Sequence, residues 1–197
     1  MKYFRLFKAN VDVRPFLSEI ADTSSAWDLS TGRQDKIAVQ REAESIPLRG
    51  LVKSKIGDRK RRDVHESRYT TISQRFPIAR AFLEGFAAEQ DAELGRGKIV
   101  RLKPGHRVYP HIDRGEYYRV RDRYHLILQS ALGSYMKSGN EEVRMRVGEL
   151  WWFDNNEMHE ARNDGGADRI HLIFDMLPRS RFAEVYGREA GSDDMAA

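Results

Sequence analysis

The chain has 197 residues, 40% hydrophobic and 32% charged, the balance of one ordinary soluble domain with a core of its own. It contains no cysteine, which excludes disulfides, thiolate metal sites and cysteine nucleophiles, and a reducing cytoplasmic setting is the natural expectation. The net charge of +4 permits nucleic-acid or membrane contact without requiring it, because arginines that grip carboxylates equally suit an enzyme of dianionic small molecules.

Along the chain, MKYFRLFKANVDVRPF breaks its apolar residues with Arg5, Lys8 and Asp12, so no signal-peptide core is expected. No stretch approaches the roughly 20 apolar residues of a membrane span, and no membrane partner is expected. Residues 2–7 read as a short strand. Residues 14–22 read as a short helix, with Pro15 early and Phe16, Leu17 and Ile20 apolar. Residues 36–41 and 46–52 read as strands joined by the polar turn Glu42–Ser45. Residues 53–68 hold the run Arg59-Lys60-Arg61-Arg62 and read as a solvated loop. Residues 75–90 predict a helix with the apolar stripe Ile78, Ala81, Phe82, Phe86 and Ala87.

From about residue 97 the texture changes to short strand-like runs: 98–103, 107–113, 122–130, 133–137, 141–147, 149–154, 158–162 and 168–177. Turn residues such as Pro104-Gly105, Ser138-Gly139-Asn140 and Asn163-Asp164-Gly165-Gly166 divide them. Such a series predicts a mainly β (α+β) fold, a jelly roll or double-stranded β-helix with the N-terminal helices outside it. The expected organisation is one domain over residues 1–190, with 1–95 as support and 96–178 as the β core. Residues 180–187 would close it with a helical turn or two, and the tail 191–197 would be disordered.

Two of these runs share an unusual face. Side chains alternate along a strand, so Arg123, His125 and Ile127 oppose Tyr124, Leu126 and Leu128, and Arg169, His171 and Ile173 oppose Ile170, Leu172 and Phe174. The apolar faces are expected against helices or the second sheet. The Arg-x-His faces then point into a barrel lumen, which makes sense if an anion occupies it.

His111-Ile112-Asp113 ends one run. Residues i and i+2 project to one side of a strand, so an imidazole nitrogen and a carboxylate oxygen can meet one ion. His159, which opens a later strand, is the best third ligand, and two histidines with one carboxylate form the facial triad of non-haem Fe(II) oxygenases. Gly148, Asp154, Asn156, His159 and Asn163 keep the spacing of a second cupin motif, and Gly105, His111 and Asp113 echo the first.

His159-Glu-Ala-Arg-Asn-Asp-Gly165 followed by Arg169-Ile-His-Leu-Ile-Phe-Asp175 resembles the aspartyl/asparaginyl β-hydroxylase family, as do Pro110-His111-Ile-Asp113 and Arg123-Tyr-His125-Leu upstream. The resemblance covers residues 104–177. It implies a double-stranded β-helix that uses Fe(II), 2-oxoglutarate and O₂. It further implies iron ligation by His111, Asp113 and His159, a grip of Arg169 on the distal carboxylate of 2-oxoglutarate, and a supporting pair Arg123 and His125 near that cosubstrate. His171 is expected as a cosubstrate contact or a partner of the residues that make one.

The expected reaction is hydroxylation of an amino-acid-type substrate, small molecule or peptide. Lipids remain open as substrates, and neither regiochemistry nor oligomeric state is encoded. Residues 114–121 read as a solvated loop or as a lid bearing Tyr117, Tyr118, Arg119 and Arg121; at least one of Trp151 and Trp152 is expected in the core, and His65 and His106 at the surface. Two alternatives stand beside this reading: a cupin metalloenzyme without 2-oxoglutarate, and a nucleic-acid-binding or sensory module working through Arg59–Arg62, where nucleic acid is the less favoured partner.

Overall fold

The computed structural model of the protein describes residues 1–33, 38–51 and 64–187. The Arg59–Arg62 run and the tail 191–197 lie outside the described residues. Among the described residues, eleven strands form two antiparallel sheets. They are β1 (Phe4–Lys8), β2 (Ala43–Leu51), β3 (Ser67–Tyr69), β4 (Ala92–Leu102), β5 (Arg107–His111), β6 (Asp122–Gln129), β7 (Ser134–Ser138), β8 (Glu141–Val143), β9 (Leu150–Phe153), β10 (His159–Asn163) and β11 (Arg169–Pro178). The larger sheet runs β1-β9-β6-β11-β4-β2-β3 and the smaller β5-β10-β7-β8. This is the double-stranded β-helix that the alternating runs predict. Residues 1–95 supply β1, β2 and β3 to the larger sheet as well as its outer helices.

Helices α1 (Arg14–Asp22) and α2 (Pro77–Glu89) pack on the outer face of the larger sheet. The apolar faces expected for β6 and β11 lie there: Tyr124, Leu126, Leu128, Ile170, Leu172 and Phe174 join Phe16, Ile20, Leu83 and Phe86 in one buried cluster. Each such side chain contributes about 1.5–3 kcal/mol by leaving water. Pro77 opens α2 with its φ already helical, and the Glu19 carboxylate of α1 accepts the next two backbone N–H groups, of Ile78 and Ala79. That tether sets the helix's rotation. The stripe that faces the sheet is Ala79, Leu83, Phe86 and Ala87, whereas Ile78 and Ala81, expected inside, are exposed.

The first half departs from expectation elsewhere too: Ser24–Arg33 is 3₁₀ helix, β3 begins at Ser67 inside the expected loop 53–68, and β4 begins at Ala92 rather than 98. Residues 38–40 form a 3₁₀ turn, and β2 starts at Ala43, inside the expected turn Glu42–Ser45. Ala43, Glu44 and Ser45 pair with Leu102, Arg101 and Val100 of β4, a long-range ladder that overrides local polarity. A second apolar cluster, with Ile127, Met136, Trp151 and Phe153, fills one end of the space between the sheets; Trp152 faces the outer cluster. The other end of that space is polar.

Candidate metal centre

The register of β5 against β10 builds the centre. His159 pairs directly with His111, and their rings stand 4.3 Å apart, centroid to centroid. Asp113 lies two residues beyond His111, where its backbone N–H donates to the Asn155 carbonyl at 3.2 Å, tying it to the loop before β10. The ligating atoms of His111, Asp113 and His159 fall within 4.8 Å of one another.

The hydrogen bonds behind the rings prepare them for a cation. The Nδ1 of His111 donates to the Tyr109 carbonyl at 2.7 Å, and that of His159 to the Glu157 carbonyl at 2.9 Å. Each proton therefore sits on Nδ1, and each Nε2 lone pair is turned toward Asp113, at 3.8 and 3.9 Å. Burial, together with neighbouring His111, pulls the His159 pKa down to about 4, so this imidazole is neutral at ordinary pH. Burial opposes the Asp113 charge, but Arg123 and the two histidines outweigh it and hold the carboxyl below its usual range. Two imidazoles and one carboxylate fit a divalent transition ion and leave coordination positions open.

Of the two Arg-x-His faces, Arg123, His125, Arg169 and Ile173 line the cavity beside this centre, whereas His171 does not. A space of about 60 Å³ is lined by His111, His159, Lys98, Arg123, His125 and Arg169, among others. Arg169 is 3% exposed, and its Nη2 has no hydrogen-bond partner. Burial lowers its pKa to about 9. A buried guanidinium in this condition has the chemistry to take a carboxylate. His125 shares the wall, and His171 sits behind it.

Arg123 is differently placed. Its guanidinium lies between two carboxylates: Nε and Nη2 donate to Asp175 at 2.7 and 3.0 Å, and Nη1 donates to Asp113. Burial opposes its charge, yet Asp175 and Asp113 hold its pKa well above the usual value. Asp175 escaped the sequence reading although it continues the 169-171-173 alternation by one step.

Lys98, Arg123 and Ile173 also border a larger space of about 340 Å³, with Arg49, Arg96, Tyr118 and Asp175 on its walls. Across both spaces Arg49, Arg96, Lys98, Arg123 and Arg169 outweigh Asp113, Glu160 and Asp175. The solvated-loop reading of residues 114–121 does not hold. Glu116–Arg119 forms a short helix, α3, and Tyr117 and Arg121 are buried. The Tyr117 hydroxyl accepts the Arg96 backbone N–H at 2.6 Å. His65, expected outside, is buried and accepts from Arg121 Nη1 at Nδ1 over 2.7 Å. His106 is half-buried, with Nδ1 3.1 Å from the Glu42 carbonyl.

The family profile of aspartyl/asparaginyl β-hydroxylase matches residues 60–178. No curated protein sequence gives a match. Among solved structures, a Pseudomonas putida prolyl-4-hydroxylase superposes with a TM-score of 0.52 at 14% identity, over 89% of this chain and 92% of that one. AviO1 from Streptomyces viridochromogenes gives 0.51 at 10% identity, over 89% of each chain. A Burkholderia pseudomallei oxidoreductase of the 2OG-Fe(II) oxygenase family gives 0.50 at 12% identity, over 87% of this chain and 93% of that one. At such identities the likeness is one of fold.

Proposed function

The chain belongs to the aspartyl/asparaginyl β-hydroxylase family, and from that premise we propose that it is an Fe(II)- and 2-oxoglutarate-dependent hydroxylase acting on a C–H bond of an amino-acid-type substrate. The substrate is a free amino acid or an Asp-, Asn- or Pro-like residue of a peptide or protein. One observation carries the reading: a two-histidine, one-carboxylate cluster shares a cavity with a buried arginine that lacks a partner. When bound, the iron and 2-oxoglutarate would activate O₂, the oxidant: one oxygen atom would go to the substrate and the other to succinate, formed with loss of CO₂ as 2-oxoglutarate is oxidised.

The protein's own residues hold and orient. His111 and His159 offer Nε2 lone pairs fixed in direction by the Tyr109 and Glu157 carbonyls. Asp113 supplies a negative charge, and Arg123 orients its second oxygen. Arg169 is suited to grip the distal carboxylate of 2-oxoglutarate, with His125 beside it. Phe153, Met136 and Ile173 line the same wall and exclude water from the reacting atoms. The surplus of cations around the larger space favours a substrate bearing a carboxylate.

The test is anaerobic. Fe(II) and then 2-oxoglutarate are added to metal-free protein, and the visible spectrum is recorded. A weak absorption that needs both additions and disappears in His159→Ala is the expected result. Iron binding without that absorption would turn the reading toward a cupin enzyme without 2-oxoglutarate, and no iron binding would overturn the triad.

A further inference from the structure

The Arg-x-His faces of β6 and β11 bring two histidine rings together behind the cavity. His125 and His171 are 4% and 1% exposed, and their Nδ1 atoms meet at 3.3 Å. Burial, reinforced by Arg169, pushes both pKa values well below the usual histidine range, so both rings are neutral. Two neutral imidazoles that meet at Nδ1 must be opposite tautomers, because one nitrogen donates and the other accepts.

The surroundings decide which. Only His125 lines the cavity that holds Arg169. On the strands either side, Val100 and Ile127 are the register partners of His171, and its Nε2 is buried without a hydrogen-bond partner. A proton on that nitrogen would be an orphaned buried N–H, which folded proteins avoid more strictly than a bare acceptor. The proton of His171 therefore belongs on Nδ1.

We propose that His171 is a positioning residue: it donates Nδ1–H to the Nδ1 lone pair of His125 and so fixes His125 as an Nε2–H donor to the anionic cosubstrate. The inference rests on the hydroxylase reading above. His125 is the group that touches the ligand. His171 acts through it, converting a ring that would otherwise sample both tautomers into a donor beside the Arg169 guanidinium.

The experiment is nitrogen-15 NMR of histidine-labelled, metal-free protein, joined to anaerobic titration of the Fe(II) protein with 2-oxoglutarate. The wild type is expected to show His125 protonated at Nε2 and His171 at Nδ1. In His171→Phe the donor is gone; the His125 signals should average between tautomers, and because only the Nε2–H fraction then binds, the dissociation constant of 2-oxoglutarate should rise about twofold. His171→Asn places an amide N–H near the former Nδ1 and should return His125 to the Nε2–H form and the affinity to the wild-type value. A wild-type His125 protonated at Nδ1 overturns the inference without any substitution. An affinity unmoved by His171→Phe, while Arg169→Ala weakens binding, overturns it alone. An affinity unmoved by Arg169→Ala overturns the hydroxylase reading itself.

Discussion

Arg169 is held in the cavity at a cost to stability, and that cost can be measured. It is 3% exposed, no carboxylate among the described residues pairs with it, and its Nη2 lacks a partner. Burial alone lowers its pKa from 12.5 to about 9. At about 1.36 kcal/mol for each tenfold change in proton affinity, that difference sets an upper value of about 5 kcal/mol on the penalty. Replacing the cation by an apolar chain of similar length, Arg169→Met, should therefore stabilise the protein in the absence of cosubstrate. If relaxation leaves only about 2 kcal/mol, the unfolding midpoint still rises by about 4–8 °C for a chain of this size. The assay is thermal unfolding of both proteins with Zn(II), with and without 2-oxoglutarate. Cosubstrate should raise the wild-type midpoint and leave the variant where it was. A variant less stable than wild type without cosubstrate, or equally stabilised by it, would refute the reasoning.

Asp175→Asn removes the bidentate partner of Arg123 and leaves a buried guanidinium half-paired, so urea unfolding should show a loss of about 3–5 kcal/mol. Gly95→Ala places a methyl group 2.5 Å from the Tyr117 hydroxyl and 3.0 Å from the Asp175 carbonyl. It should cost about 1–3 kcal/mol and loosen α3, read as faster proteolysis between residues 114 and 121. Metal-free protein should weaken in acid through His159. Above pH 6.5 neither the folded nor the unfolded form takes the proton. Between 6.5 and about 4 only the unfolded form does, so His159 by itself removes about 3 kcal/mol across that window, and the buried neutral His125 and His171 add losses of the same sign. Chemical unfolding at pH 7.5, 5.5 and 4.5 checks this, and a flat profile would contradict the buried, neutral His159.

The centre was more legible than the frame around it. His111, Asp113 and His159 carry their chemistry in residue type and spacing. Strand alternation sorted Arg123 with His125 and Arg169 with His171 onto one face of each strand, because the pleat has a period of two, and the neighbouring metal motif turned those faces inward. What depends on distant partners was hidden. β2 begins at Ala43 because β4 pairs with it, and α2 is rotated because Glu19 holds its first turn. The burial of His65 and Arg121 follows from their meeting across 56 residues, which a polar local sequence gives no hint of. Arg123 reads as a ligand-binding arginine until Asp175 is seen to occupy it.

The two sheets divide the labour of the cavity. The metal-binding side chains come from β5, the turn after it, and β10 of the smaller sheet, whereas Arg49 and Arg96 stand on β2 and β4 of the larger one. On the proposed function, substitutions on β2 and β4 would redraw which molecule is admitted without moving a metal ligand.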